Sequence, residues 1–233
     1  MTTISTSPPS SASGSVAERL HSVRLRIAQA GGDPSAVRVV AVTKGFGPEA
    51  VIAARDAGLH DIGENYANEL VAKVTALEGE QSAPSLLRWH FLGAIQRNKV
   101  ARLAPVIGLW QSVSRAEEGA RIARFAPGAM VLVEVDMTGR PGRNGCPPDD
   151  VRVLVARLRD AGLDVRGLMT VAPPGPDEAG RAFASVGSLA DELGLEERSM
   201  GMTDDLEAAV RAGTTMVRIG RALFGERPAK RLA

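Results

Sequence analysis

Eight short apolar runs, separated by stretches of helical periodicity, constrain this chain more than any other feature. The runs fall at 37–43, 59–63, 88–93, 108–113, 129–136, 164–171, 197–201 and 215–219. Helical patterns lie between them near 48–57, 65–78, 95–104, 115–125, 148–161, 177–193 and 204–212. A first amphipathic helix over 16–30 carries Val16, Leu20, Val23 and Ile27 on one stripe. The first run, Val37 to Val42, is β-branched and continuously apolar near its end, as a strand buried on both faces would be. Strands that alternate with helices form parallel sheets through right-handed crossovers. Eight is the number that closes a (β/α)8 TIM barrel, and about 220 residues makes a compact one. An open doubly wound sheet is the alternative. No Gly-x-Gly-x-x-Gly follows the first strand, which favours the barrel.

No linker interrupts the alternation, so the expectation is one domain over 16–227. Residues 1–15 are rich in Ser, Thr and Pro, without the basic start or apolar stretch of a signal peptide, and read as a disordered tail. Residues 228–233 read as a short C-terminal tail.

Charge then narrows the function. Lys and Arg number 28 against 27 Asp and Glu, a formal charge of +1, which leaves no electrostatic footprint for nucleic acid or an anionic membrane. No apolar run approaches the roughly 20 residues of a membrane span. The single cysteine, Cys146, excludes an internal disulfide framework and a cysteine metal cluster. These features lead us to expect a cytoplasmic protein.

In a barrel, active groups gather at the carboxyl ends of the strands. Lys44 stands there, after Val42-Thr43 and before the strand-breaking Gly45, Gly47 and Pro48. Burial disfavours the ammonium form of a lysine, and a neutral amine attacks an aldehyde. The plainer alternative is a lysine that snorkels into solvent. The loops after strands seven and eight commonly hold phosphate in barrels. Ser199-Met200-Gly201-Met202-Thr203 leads into a helix with a hydroxyl, a glycine and free N–H groups, and Gly220 lets backbone approach a ligand. A cap by Thr203 and an ordinary turn at Gly220 would also explain them. Arg218 lies among Met216, Val217 and Ile219 and must find acceptors, either a carboxylate or a ligand. Asn65 reads as a helix N-cap, Glu64 as the partner of a nearby arginine, and His90 as a core histidine. The Gly139–Gly145 loop carries Arg140 and Arg143, and Cys146 follows it with no visible activator. No zinc-ligand spacing or nucleophile elbow occurs.

Taken together, the segments Ala41-Val42-Thr43-Lys44, Gly63-Glu64-Asn65-Tyr66, Trp89-His90-Phe91-Leu92-Gly93 with Gln96 and Asn98-Lys99, Gly167-Leu168-Met169-Thr170, Ser199-Met200-Gly201-Met202, and Val217-Arg218-Ile219-Gly220 with Phe224-Gly225 resemble the pyridoxal phosphate homeostasis proteins. These are single-domain barrels that bind pyridoxal 5'-phosphate (PLP), similar to the N-terminal domain of alanine racemases. Ala94, Ser114 and Arg143 depart from the family pattern. The resemblance implies that Lys44 forms the internal aldimine with PLP. It implies that Ser199, the Met200–Gly201 backbone and Gly220 hold the phosphate, that Arg218 faces the pyridine nitrogen, and that Asn65 lies beside the cofactor. It also implies a carrier in PLP (vitamin B6) homeostasis without catalytic turnover, a monomer whose partners are PLP and, transiently, PLP-requiring apoenzymes.

Two other readings compete. One is a PLP-dependent racemase-like enzyme. It would need a second acid/base group, and Tyr66 is the chain's one tyrosine, with no separate β domain expected after the barrel. The other is a barrel enzyme that uses Lys44 as a Schiff base on a phosphorylated metabolite.

Overall fold

A computed structural model describes residues 14–78 and 87–227. The expected terminal tails fall almost wholly outside the described residues. Eight parallel strands form a closed barrel in sequence order, β8 pairing with β1. The strands are β1 (Arg38–Val42), β2 (Asp61–Glu64), β3 (Arg88–Phe91), β4 (Ile107–Val113), β5 (Met130–Val135), β6 (Asp164–Thr170), β7 (Glu197–Ser199) and β8 (Met216–Ile219). The helices are α1 (Val16–Gln29), α2 (Pro48–Asp56), α3 (Ala67–Leu77), α4 (Val100–Leu103), α5 (Ala116–Phe125), α6 (Val151–Asp160), α7 (Pro176–Glu192), α8 (Leu206–Arg211) and α9 (Arg221–Phe224). No described helix is long and apolar enough to cross a membrane.

Each expected strand is present, with ends moved by a few residues. β3 and β7 stop two residues early, where the chain turns away to build the loops of the barrel mouth. The helix expected over 95–104 is α-helical only from Val100. Its first part closes as a tighter turn, with the Lys99 N–H donating to the Gln96 carbonyl at 2.8 Å.

Two apolar clusters explain the closure. Val40, Leu109, Leu132, Met169 and Met216 fill the lumen, one residue from each of five strands. Their neighbours, such as Val39, Ala41, Trp110, Val131, Val133, Leu168 and Val217, point outward against the helices. The strands therefore bury both faces, and their sequences show no polar alternation. Polar residues also face the lumen, Gln111, Glu134, Ser199 and Arg218 among them. Ser199 pairs in register with Met169 and Met216, both lumenal, so its side chain points inward with theirs.

α1 precedes the barrel and packs beside α8 and α9. It opens with a capping box, in which the Ser15 N–H donates to Glu18 Oε2 at 2.6 Å and the Glu18 N–H donates to Ser15 Oγ at 3.3 Å. Arg26 then reaches Glu207 of α8 at 2.6 Å, and Arg19 donates to the Leu223 carbonyl of α9 at 3.1 Å. These bonds hold the loops after β7 and β8 in place from outside.

Candidate functional site

Lys44 follows β1 after one residue, Thr43. Its preceding residue extends the β1–β2 pairing, with the Thr43 N–H donating to the Gly63 carbonyl at 3.0 Å. α3 grips both sides of the lysine. Lys73 Nζ donates to the Thr43 carbonyl at 2.7 Å, and the Gly45 N–H donates to Glu69 Oε2 at 2.8 Å. Lys44 itself is half-buried, and among the described residues its amine has no hydrogen-bond or ion-pair partner. Burial, then the charges of Arg227 and Arg218, push its pKa below the ordinary lysine value, against an opposing pull from Glu64. A lysine placed this way is primed to act as a nucleophile.

Glu64 does not pair with an arginine, as the sequence suggested. It is fully buried, and Lys73 of α3 is its ionic partner. Thr43 Oγ1 donates to Glu64 Oε1 at 2.8 Å and the Asn65 N–H to Glu64 Oε2 at 3.2 Å. One buried ion pair thus ties the ends of β1 and β2 together, with Lys44 on one side and Asn65 on the other.

Asn65 is not a helix cap. Tyr66 occupies that position, without a side-chain capping bond. Among the described residues the Asn65 amide oxygen is instead buried with no hydrogen-bond partner. A buried orphan acceptor in a cavity wall costs free energy unless a ligand satisfies it.

Arg218 projects into the barrel from β8 and is 5% exposed. Its acceptors are neutral. One terminal nitrogen donates to the Ser199 carbonyl at 2.6 Å and to Ser199 Oγ at 2.8 Å, and the other donates to the Thr170 carbonyl at 2.7 Å. Burial pulls its pKa down to about 10, against Glu134 and Asp205, so it remains a cation at neutral pH. A structural ion pair, one of the two readings left open by the sequence, is absent among the described residues.

Lys44, Asn65, Arg218 and Gly220 line one cavity of about 230 Å³ at the carboxyl end of the strands. Arg221, Arg227, Thr203 and Asp204 share its wall with apolar residues such as Leu92, Val171 and Met202. A Cβ on Gly220 would stand 3.2 Å from the Val42 carbonyl oxygen, a tight approach that keeps this wall close to β1. Ser199 and Met200 are not in the wall. Both are fully buried, Ser199 in the lumen below and Met200 in the outer core. The Ser199 hydroxyl is already engaged, donating to Gln111 Oε1 at 2.7 Å. Gly201, likewise buried and absent from the wall, takes a left-handed turn at φ +93°. The Met202 N–H, expected to be free, donates to Asp205 Oδ1 at 2.6 Å. Thr203 does not cap α8. Its hydroxyl accepts from the Ala222 N–H at 3.3 Å and links the seventh and eighth loops.

Sequence reasoning passed over Arg227, whose aliphatic part lies against Gly45. Its position after Gly225, beyond the last strand, gave no signal. Gln111 and Glu134 were also missed, because strands apolar on both faces do not show which of their polar residues point into the lumen. The basic loop reaches a neighbouring groove of about 790 Å³, where Arg140 and Arg143 face Pro174, Asp204 and Arg211. Cys146 is buried, and burial raises its thiol to about 11.

The chain matches the family described as alanine racemase, N-terminal domain, over residues 20–228. The pyridoxal phosphate homeostasis protein of Pseudomonas aeruginosa is 38% identical over 225 residues, covering 91% of this chain and 96% of its own. That of Deinococcus radiodurans is 37% identical over 218 residues, covering 90% and 99%. Among solved structures, PipY of Synechococcus elongatus with PLP bound superposes with a TM-score of 0.79 at 32% identity, covering 90% of this chain and 100% of PipY. A closed eight-stranded barrel, a half-buried lysine just beyond β1, an arginine inside β8 and relatives matched along nearly their whole length agree: the chain belongs to the pyridoxal phosphate homeostasis protein family.

Proposed function

We propose that this protein binds PLP in the cavity at the barrel mouth, through a Schiff base with Lys44, and serves PLP homeostasis without turning over an amino acid. The observation that carries the reading is the unpaired, partly desolvated Lys44 amine, held among arginines in a small cavity. PLP, when bound, supplies an aldehyde to that amine and a pyridine ring that acts as an electron sink.

The donor set fits such a ligand. Lys44, Arg218, Arg221 and Arg227 converge on the cavity, and Asp204 pairs with Arg221. A phosphate monoester suits this excess of positive charge. Gly220 offers close backbone approach for the phosphate, with Arg221 and Arg227 beside it, and the turn at Gly201 leads into this wall through Met202 and Thr203. Ser199 and Met200, buried below, contribute to this end by shaping the turn and not by contact. Asn65 brings an acceptor that lacks a partner, which suits a hydroxyl on the ligand ring.

Arg218 can only donate to a ring nitrogen. It keeps that nitrogen unprotonated and weakens the ring as an electron sink, which favours holding over carbanion chemistry. Tyr66 is exposed at the rim beside Asn65. The same reading entails a cytoplasmic monomer that passes PLP to PLP-requiring apoenzymes.

The deciding experiment is a visible spectrum of the purified protein before and after borohydride reduction, with peptide mapping. A yellow protein whose reduced adduct maps to Lys44 supports the proposal. Lys44→Ala should be folded and colourless. A protein that cannot be reconstituted with PLP would end the reading and return attention to a phosphorylated metabolite. Sustained racemisation of an added amino acid would favour the enzyme alternative.

A further inference from the structure

A line of hydrogen bonds crosses the barrel from its amino-terminal end to Arg218. It begins at Asp61, the first residue of β2, whose carboxylate Oδ1 lies 2.8 Å from Nε2 of His90 on β3. Nδ1 of the same ring lies 2.6 Å from the Gln111 amide nitrogen on β4. The Gln111 amide oxygen meets Ser199 Oγ on β7 at 2.7 Å, and that hydroxyl meets Arg218 of β8 at 2.8 Å. His90, Gln111 and Ser199 are fully buried. Polar side chains in this setting are costly unless each is satisfied.

The chemistry of the groups fixes the direction of every bond. An arginine only donates, so Ser199 Oγ accepts from it. The serine hydroxyl then donates to the Gln111 oxygen. The Gln111 nitrogen donates to His90 Nδ1, and it also faces Met216 Sδ at 3.0 Å, a weak acceptor that accommodates the amide in this orientation. His90 Nδ1 is therefore unprotonated and Nε2–H donates to the Asp61 carboxylate. Burial lowers the His90 pKa, against Asp61, in keeping with a neutral ring. Burial works against the Asp61 charge, but His90, Arg88 and Arg38 outweigh it and hold the carboxyl below its ordinary value. An ionised carboxylate cannot donate. It alone forbids the reversed chain, in which His90 Nε2 would present a lone pair.

We infer that Asp61, His90 and Gln111 are positioning residues for Arg218: the carboxylate at the amino-terminal end of the barrel sets the donor direction of a chain that commits the Ser199 hydroxyl hydrogen to Gln111, leaves its lone pairs to Arg218 and so fixes the guanidinium in the cofactor cavity. The inference assigns a task to Ser199 and His90 that contact with the ligand does not require. Its effect on PLP rests on the reading proposed above, whereas the bonds themselves exist without any ligand.

The test uses the full chain in both conditions. In PLP-free protein, long-range nitrogen–proton NMR correlations report the His90 tautomer, with the exposed His21 and His60 as internal references. The expected result is one neutral form protonated at Nε2, which becomes a mixture in Asp61→Asn. Resolved guanidinium proton signals from Arg218 should collapse in Ser199→Ala and Gln111→Leu and return in Ser199→Thr. A His90 proton on Nδ1, a charged ring, or Arg218 signals unchanged in both variants would overturn the chain. With PLP added, Ser199→Ala should weaken binding about tenfold and move the visible band, the loss of one buried hydrogen bond to a charged group, while Ser199→Thr restores both. Thermal unfolding of the PLP-free variants separates this from misfolding. Should wild-type protein fail to bind PLP, the cofactor reading falls while the tautomer and Arg218 signals still decide the chain.

Discussion

Lys44 owes its lowered pKa to where it sits more than to any partner. Burial and two like charges press on the ammonium, and α3 holds the backbone on either side of it. Arg227 is the nearer of the two like charges in effect, and it lies in a segment that reads as an unremarkable end of the chain. Arg227→Ala should therefore raise the Lys44 pKa toward its ordinary value. The check is the pH midpoint of Lys44 modification by an aldehyde, trapped by borohydride and quantified by peptide mapping. The midpoint should move upward. A midpoint that stays or falls would show that Arg227 does not press on the amine. Asn65 gives the opposite lesson about single residues. An asparagine before a helix reads as a cap, yet here the cap is Tyr66 and the amide oxygen is orphaned in the cavity wall. Composition and position cannot separate those outcomes, because both place a short polar side chain at the start of a helix.

Glu64, Lys73 and Thr43 join β1, β2 and α3 in a buried unit. Breaking a buried pair by removing one charge leaves the other uncompensated. Lys73→Met should cost about 3–5 kcal/mol by chemical denaturation and should also disturb Lys44. Lys73→Met combined with Glu64→Gln should recover most of that loss. A double variant as unstable as the single one would refute the explanation. A second prediction concerns the contact between β3's loop and β2's loop. A Cβ on Gly93 would sit 1.9 Å from the Asn65 carbonyl oxygen. Gly93→Ala should displace Asn65 and weaken PLP binding more than it lowers the melting temperature of the PLP-free protein. Equal losses would mark Gly93 as merely structural.

The elements themselves were legible. Eight apolar runs became eight strands because buried parallel strands cannot hide their hydrophobicity. That same property concealed the inward and outward faces. A strand such as Met130–Val135 carries no alternation to say that Leu132 and Glu134 look inward while Val131 and Val133 look outward. The resemblance puts Ser199 beside the phosphate, whereas its side chain lies in the lumen under the cavity. Lys73 was invisible for a related reason. A lysine on a helix reads as solvated, and only the barrel's closure brings it to Glu64.

The closed barrel also gathers charge where water does not reach, and Glu134 shows what that does to the whole molecule. Its carboxyl is buried in the lumen and accepts from the Asn144 side chain. Burial is the largest influence, offset in part by Asn144 and Arg218, and the pKa rises from 4.5 to about 7. The unfolded chain ionises Glu134 near its ordinary value, so between these limits the folded protein holds a proton that the unfolded chain has lost. Stability from this group is fully present below pH 4.5 and is lost as pH rises through about 7. The amount is on the order of 3 kcal/mol, from about 1.4 kcal/mol per pH unit. Glu134→Gln, neutral at every pH, should match the wild type near pH 5 and exceed it near pH 8. Urea denaturation of PLP-free protein at the two values measures the difference. Parallel curves for the two proteins would mean that Arg218 keeps Glu134 ionised throughout, and that the lumen holds an ion pair where the geometry indicates a proton.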